Sequence, residues 1–145
     1  MITLGQAIHH LDLNVRDLEA SEAFYRDLLT RFGLDELDRG EYWISFGADT
    51  SYITLVQTRQ PFLYHGFHRK RIGVNHLAFP APSRDAVVEL HAWLLERGAT
   101  ILYGGPMEMG SDEAPNFAVY FEDPDRLKLE YVYRPHGLWA PGARR

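Results

Sequence analysis

The chain has 145 residues, 46% of them hydrophobic, and a formal net charge of −5. This length fits one compact domain or two very small ones. The acidic balance gives no electrostatic reason to expect nucleic acid or an anionic membrane as a partner. Without cysteine, disulfides and thiolate ligands are excluded, so any metal would have to bind His, Asp or Glu. No secretory signal or membrane-spanning run is predicted, and we expect a cytoplasmic protein.

The first predicted elements occupy residues 8–57. A strand is predicted at residues 8–15, where apolar and polar side chains alternate. Asp17 is typical of a helix N-cap, and apolar residues at helical spacing then continue as far as Gly33, a typical helix terminator. Two short strands are predicted near residues 42–46 and 51–57.

The second half of the chain predicts the same order of elements. A strand at residues 73–79 precedes a helix that begins after Ser83 and ends near Arg97. Further strands are predicted near residues 100–103, 116–122 and 127–133. Segment 104–114 is rich in glycine and acidic residues, and it is predicted to be a loop, either a lid or a mobile connection.

The chain also repeats itself when it is shifted by 66 residues, without gaps from residue 8 to residue 31. His10 then meets His76, Arg31 meets Arg97, and many apolar positions coincide. A shared histidine, a shared arginine and a shared helical phase indicate a duplicated module.

We therefore predict an α+β protein in which two βαβββ modules, residues 6–58 and 72–134, are joined by linker 59–71. Together they would form one domain spanning residues 1–145, with about eight strands and two helices. Because each helix can cover only one face of its sheet, the other faces are expected to form an open, eight-stranded, barrel-like cup.

Strand phase predicts which side chains point into this cup. His10 and His76 occupy the same position in the two modules, on the face away from the helix. Glu130 lies on the corresponding face of the last strand. Two imidazoles and one carboxylate can bind one side of a divalent ion and leave open positions for water, O₂ or substrate oxygens. The alternative is that the histidines are structural and that Glu130 pairs with Lys128 or an arginine.

Two segments resemble the signatures of the vicinal oxygen chelate superfamily, which includes glyoxalase I, extradiol dioxygenases, fosfomycin-resistance proteins and bleomycin-binding proteins. The first is HLDLNVRDLEASEAFYRDLL, beginning at His10, and the second is VYFEDPDRLKLE, ending at Glu130. The resemblance covers residues 7–133. It implies the glyoxalase-like fold, a homodimer, and metal ligands at His10, His76 and Glu130.

Departures from the family patterns bear on the reaction. Thr54 lies opposite Glu130 when the last strand is shifted back onto the first module, at the position where glyoxalase I usually has a fourth ligand, a Glu. Extradiol dioxygenases use three ligands, as here, but Asp112 falls about where their closing motif has a His, and Arg126 replaces a Gly. The basic, potassium-loop pattern of fosfomycin-type thiol transferases is not found after the second module.

These observations predict a metal-dependent enzyme that chelates adjacent oxygens of a small-molecule substrate, with dioxygenase-like chemistry as the first choice. Isomerase, lyase or thiol-transfer chemistry on the same site stays open, as does non-catalytic binding of a drug or metabolite. Fe(II) is the first choice of ion, followed by Mn(II), Zn(II) or Ni(II). Catalytic residues other than the ligands are not identified.

Several other polar side chains have two interpretations each. His65 and His68 lie in a basic stretch that either gates the cup or is a solvated linker. Asp12 and Asn14 share the face of His10, and they either orient the ligands or make structural hydrogen bonds. Pocket lining and core packing are both open for Tyr103, Tyr120 and Gln57. The role of the tail, residues 134–145, is also open.

Overall fold

The computed structural model describes residues 8–48, 51–111 and 114–135. The chain divides into two compact units, Met1–Phe67 and His68–Arg145. Their boundary falls inside the predicted linker 59–71. In the described ranges, no helix is both long enough and apolar enough to cross a membrane.

The first unit is a four-stranded mixed sheet with one helix. Its elements are β1 His10–Val15, α1 Leu18–Arg31, β2 Asp35–Gly40, β3 Trp43–Ala48 and β4 Ser51–Gln57, and a 3₁₀ helix, Gln60–Phe62, follows. The strand order is β1-β4-β3-β2. Strands β1 and β4 are parallel, and the other neighbours are antiparallel.

The second unit repeats this topology. Its elements are β5 His76–Pro80, α2 Arg84–Glu96, β6 Ile101–Ser111, β7 Ala114–Glu122 and β8 Lys128–Tyr133. The strand order is β5-β8-β7-β6, again with one parallel pair, β5 and β8. The predicted α+β class and the two βαβββ modules are confirmed, and neither sheet is closed on itself.

Both helices begin and end at residues that the sequence predicts. Oδ1 of Asp17 accepts a hydrogen bond from the backbone N of Ala20, and Oγ of Ser83 accepts one from Ala86, each at 3.1 Å. These bonds satisfy backbone N–H groups that lack partners inside the helix. Gly33, after the C-terminal turn of α1, has φ +79°, a conformation that other residues rarely adopt.

Each helix packs on one face of its own sheet, and the core of each unit lies between its helix and its sheet. The buried side chains in the first unit include Tyr25, Leu28, Leu29, Ile44, Phe46 and Leu55. Those in the second unit include Val87, Leu90, Leu94, Val119, Phe121 and Leu129. Burying one such side chain contributes about 1.5–3 kcal/mol. We call the opposite face of each sheet its open face; it carries His10 in the first sheet and His76 in the second.

One strand of the first unit, β2, was not predicted from the sequence. Strand β2 has the sequence DELDRG, and all six residues are exposed. It contains a single apolar residue, so it shows neither alternation nor β-branched enrichment. Its conformation comes from antiparallel pairing with β3, whose residues are mostly buried.

The prediction that residues 104–114 form a loop was wrong. Strand β6 runs on to Ser111 and pairs with β7 from Met107↔Ala118 to Ser111↔Ala114. The register shifts between Leu102 and Met107, where Tyr103, Gly104 and Gly105 all have positive φ. The glycines therefore form an irregularity within a strand. Residues 112–113, including Asp112, and residues 136–145 of the tail lie outside the described residues.

Candidate metal centre

His76 and Glu130 meet on the open face of the second sheet. Strands β5 and β8 are parallel neighbours, with His76 opposite Lys128 and Ala78 opposite Glu130. Nε2 of His76 lies 3.0 Å from Oε2 of Glu130. The Glu130 side chain is 7% exposed and that of His76 is 35% exposed, so a deeply placed carboxylate faces an accessible ring. The structure thus brings together two of the three predicted ligands.

The His76 ring is oriented by Asn75. Nδ1 of His76 lies 2.8 Å from Oδ1 of Asn75, whose Nδ2 donates to the carbonyl of Arg69 at 3.4 Å. With the amide nitrogen directed to Arg69, the amide oxygen accepts the Nδ1 proton of the ring. With the proton on Nδ1 held by Asn75, Nε2 is the ring nitrogen that faces Glu130.

The Glu130 carboxylate is oriented by Tyr120. The Tyr120 hydroxyl, on β7, donates a hydrogen bond of 2.9 Å to Oε1, which leaves Oε2 for the contact with His76. Burial raises the pKa of Tyr120 well above its usual value, and the nearby charge of Glu130 adds to this. The phenol therefore stays protonated and remains a hydrogen-bond donor at neutral pH.

The distance between Nε2 and Oε2 fits a shared cation. Two donor atoms that each lie about 2.1 Å from an ion, at right angles, are about 3.0 Å apart. A carboxylate oxygen and an imidazole lone pair that face each other need a positive charge between them, either a proton or a metal ion. The second compact unit thus brings together an oriented imidazole and an oriented carboxylate at a separation that a proton or a divalent ion would fit.

The third predicted ligand, His10, belongs to the first unit. Its ring stacks on Tyr52, with centroids 4.9 Å apart and an interplanar angle of 5°, and its Nδ1 lies 2.9 Å from Nδ1 of His9. His10 is exposed at the start of β1. Across the described ranges, no group of three or more His, Asp and Glu side chains lies close enough to hold a metal ion.

Corresponding positions in the two sheets carry different chemistry. His10 pairs with Tyr52 and His76 pairs with Lys128, so Thr54 and Glu130 each lie two residues further along. The register therefore confirms that Thr54 corresponds to Glu130. Oγ of Ser45 and Oγ1 of Thr54 are 2.9 Å apart, so a hydroxyl pair replaces the phenol–carboxylate pair.

Lys128 and Tyr120 were not identified as site residues by the sequence. The alternative pairing of Lys128 with Glu130 is not observed; instead, Nζ of Lys128 lies 5.3 Å from the ring centroid of Tyr120. Of the three side chains with open interpretations, Tyr120 contacts a predicted ligand. Gln57 makes structural hydrogen bonds, because its Oε1 accepts from the N of Leu18 and its Nε2 donates to the carbonyl of Arg16, and it also lines a cavity that contains none of the predicted ligands.

The basic stretch divides between the two units. The His65 ring makes an edge contact with Tyr64 in the first unit. Nδ1 of His68 accepts a hydrogen bond from the N of Lys70 at 3.2 Å in the second unit. Arg69 forms an ion pair with the buried carboxylate of Glu122 on β7. Arg69 thus anchors the start of the second unit to its sheet.

The described part of the first unit contains at least two cavities. One of about 300 Å³ occupies the open face of the first sheet and includes Asp12, Ser45 and Thr54 in its lining. A larger one of about 590 Å³ lies beside the 3₁₀ helix and contains none of the predicted ligands. Its lining residues are Tyr42, Val56, Gln57, Thr58, Arg59, Gln60 and Leu63. The smaller cavity is the one related to the candidate site, because Tyr52, which stacks on His10, lines it.

Comparison with known proteins confirms the resemblance. The profile of the Glyoxalase/Bleomycin resistance protein/Dioxygenase superfamily matches residues 7–131, so the chain belongs to this superfamily. The protein YqjT of Bacillus subtilis, whose function is uncharacterised, is 38% identical over 86% of this chain and 97% of its own length.

Relatives with a stated activity include a dioxygenase and a thiol transferase. Catechol-2,3-dioxygenase of Bacillus subtilis is 29% identical over 91% of this chain, which spans only 43% of that enzyme. The metallothiol transferase FosB of Staphylococcus epidermidis is 28% identical over 86% of this chain and 79% of its own length. The superfamily members similar to this chain therefore include enzymes with different reactions.

Solved structures show the same fold. A protein from Bacillus halodurans, provisionally assigned as a glyoxalase, has 41% identity and a TM-score of 0.77, over 87% of this chain and 94% of its own. Lactoylglutathione lyase from Agrobacterium tumefaciens has 22% identity and a TM-score of 0.61, over 87% and 92%. The latter likeness shows the fold alone.

Proposed function

We propose that this protein is a metal-dependent enzyme that holds a divalent ion with His10, His76 and Glu130 and acts on a small molecule with two adjacent oxygens. The observation that carries the proposal is the 3.0 Å separation of Nε2 of His76 and Oε2 of Glu130, each oriented by a further hydrogen bond. A bound ion would act as a Lewis acid toward the substrate oxygens. Fe(II) is the first choice, with Mn(II), Zn(II) or Ni(II) as alternatives.

The neighbouring side chains have defined tasks in this proposal. Asn75 keeps the proton on Nδ1 of His76, so that Nε2 is the nitrogen that binds. Tyr120 fixes the Glu130 carboxylate. Lys128, with its ammonium group beside the Tyr120 ring, favours negative charge that develops on a substrate oxygen at this face.

Dioxygenase-like chemistry is the first choice of reaction. A three-ligand set supports it, because Thr54, at the position that corresponds to Glu130, offers a hydroxyl and no carboxylate. The similarity to catechol-2,3-dioxygenase also supports it. The similarity to FosB makes thiol transfer the second candidate. Homodimerisation and a cytoplasmic location stay predictions.

The first test is metal content. The protein, purified without chelator or affinity-tag metal, is offered Fe(II) anaerobically, and Mn(II), Zn(II) and Ni(II) in parallel, and bound metal is measured by elemental analysis. His10→Ala, His76→Ala and Glu130→Ala are compared with His65→Ala, which removes an exposed histidine outside the proposed ligand set. We expect one equivalent per chain in the wild type and the control, lost in the three ligand variants.

The outcomes separate the parts of the proposal. Loss in the His76 and Glu130 variants alone would show that His10 is not a ligand. No stoichiometric metal in the wild type would overturn the enzymatic proposal, and a non-catalytic binding protein would then be the better explanation. O₂ uptake with catechols by the iron form would support the dioxygenase choice, and thiol consumption by the manganese form would support transfer.

A further inference from the structure

The open face of the first sheet contains a cavity of about 300 Å³ built from all four strands. Its lining residues are Asp12, Leu37, Asp38, Trp43, Ser45, Tyr52 and Thr54. This volume is at the lower end of the range for small-molecule sites. Apart from Leu37, the side chains divide into a charged rim, aromatic walls and a hydroxyl floor, and each part restricts the chemistry of a ligand.

The rim depends on a β-bulge in β2. The register shifts between Glu36, which lies opposite Phe46 on the helix side, and Asp38, which lies opposite Ser45 on the open face. The extra residue, Leu37, therefore turns to the open face together with Asp38. Without the bulge, strict alternation would direct Glu36 and Asp38 to the same face.

The rim is negative. Asp12 on β1 and Asp38 on β2 lie on opposite sides of the cavity, and none of the seven lining residues is cationic. Within the described part of the chain, Asp12 makes no ion pair or hydrogen bond, and Asp38 accepts one from the N of Arg39 at 2.8 Å. The Arg39 guanidinium itself pairs with Glu36 and Glu22 on the helix side.

The walls are aromatic. Trp43 and Tyr52 line the cavity, and the Trp43 indole packs closely on Gly40, where an added Cβ would lie 2.4 Å from Nε1. Gly40, which has no Cβ, therefore leaves the space that the indole occupies. Aromatic faces attract cations and stack on flat rings, by about 0.5–1 kcal/mol for a cation at an exposed site. Aromatic rings and carboxylates in one cavity favour a planar ligand with positive charge.

The floor is a pair of buried hydroxyls. Ser45 and Thr54 are 6% and 7% exposed, and their side chains bond to each other at 2.9 Å. That bond uses one of the two hydroxyl protons. In the described ranges neither hydroxyl has another partner, so one proton is left to donate to an oxygen atom in the cavity.

We infer that this cavity binds a small planar ring compound that carries a protonated amine and a ring oxygen. The ring lies over the Ser45–Thr54 pair and contacts Trp43 and Tyr52, and its oxygen accepts from that pair. The amine pairs with the carboxylate at one side of the cavity, Asp12 or Asp38, which the strand order places at opposite edges of the sheet. Because Tyr52 also stacks on His10, such an amine is the substrate class of the enzyme; this second statement rests on the proposed function.

The test uses the full-length protein, both metal-loaded and after chelator treatment, and measures binding by isothermal titration calorimetry. Three probes share a phenol ring and differ in charge: tyramine is cationic, 4-propylphenol is neutral, and 3-(4-hydroxyphenyl)propionate is anionic. Tyramine is expected to bind about tenfold more tightly than 4-propylphenol, through an ion pair with one rim carboxylate, the attraction of the other and its contact with the aromatic walls. The anion is expected to bind most weakly.

Substitutions test which residues produce the preference for tyramine. Asp12→Asn and Asp38→Asn are each expected to reduce the preference for tyramine and together to remove most of it, while Glu89→Gln, the same charge change on the exposed side of α2, keeps it. Circular dichroism confirms that each variant is folded. Equal binding of tyramine and 4-propylphenol, or a preference that survives in the Asp12→Asn/Asp38→Asn double variant, would overturn the inference.

The two proposals can fail separately. An amine preference that persists in chelator-treated protein and in His76→Ala supports the cavity assignment even if no metal binds. Stoichiometric metal binding without any preference for the amine would contradict the cavity assignment and would leave the metal proposal unaffected.

Discussion

The Tyr120 hydroxyl donates a hydrogen bond of 2.9 Å to Oε1 of Glu130. Ser45 and Thr54 occupy the corresponding positions in the first sheet and are likewise 2.9 Å apart. The duplicated modules therefore keep a polar pair at one register position but change its chemistry. Only the second module can offer a carboxylate there, so the metal proposal is asymmetric although the fold is repeated.

Removing the Tyr120 hydroxyl tests whether it orients Glu130. We expect Tyr120→Phe to lower divalent-metal affinity by about 10–100-fold, the usual effect of losing a hydrogen bond to a ligand. Competition with a chromophoric chelator measures the affinity. Ser45→Ala, which removes the corresponding hydroxyl in the first sheet, serves as the matched control and should leave the affinity nearly unchanged. Equal affinities in the wild type and Tyr120→Phe would show that the phenol has no such role.

The two helix caps offer a matched pair of stability measurements. Asp17→Ala and Ser83→Ala each remove one side-chain hydrogen bond of 3.1 Å to a backbone N–H. Each is expected to lower the free energy of unfolding by about 1 kcal/mol. Urea denaturation followed by circular dichroism gives the values. A loss near zero for either variant would mean that water replaces that cap without penalty.

The Glu36 carboxylate makes stability depend on pH. Hydrogen bonds from Arg39 and then Arg26 lower the pKa of Glu36 from its ordinary value to about 2 in the folded protein. A lowered folded-state pKa stabilises the protein above the ordinary pKa, and the contribution is lost as pH falls toward about 2. The difference in urea midpoint between the wild type and Glu36→Gln should therefore be constant near neutral pH and disappear at the acid end.

Salt provides the control for the ion-pair cluster formed by Glu22, Arg26, Glu36 and Arg39. Its members are solvent-accessible, so 1 M salt should reduce the difference at neutral pH because the Debye length falls to about 3 Å. A difference that is the same at pH 7 and at pH 2 would contradict an electrostatic origin. It would then be attributed to packing of the side chain.

Arg126 occupies a backbone conformation that favours glycine. Its φ is +67°, in the turn between β7 and β8, and its N donates to the carbonyl of Asp123 at 2.9 Å. We compare Arg126→Gly with Arg126→Ala, because both remove the contact between the Arg126 side chain and Glu122. The glycine variant should be more stable by about 1 kcal/mol, since only the alanine keeps a Cβ in the left-handed region. Equal urea midpoints would mean that the turn relaxes around alanine.

Local patterns in the sequence predicted much of the fold. The helix ends at Asp17, Gly33 and Ser83 follow from capping chemistry that involves only neighbouring residues. Strand β2 and the end of β6 were missed because their conformation depends on partners elsewhere in the chain. DELDRG has no strand pattern of its own, and the glycines after Tyr103 are typical of a loop. Pairing with β3 and β7 overrides both signals.

The sequence by itself determined the duplication, the α+β class and the faces on which His10, His76 and Glu130 lie, because strand alternation and helix periodicity are local properties. Only the tertiary structure decided that Glu130 meets His76 and Tyr120, that Asn75 orients the ring, and that a bulge turns Asp38 to the open face. The contacts of Glu130 join residues on different strands, the position of Asp38 depends on the hydrogen-bond register between strands, and Asn75, although next to His76 in the chain, is oriented by the carbonyl of Arg69. That register is fixed when the sheet forms, and no single segment encodes it.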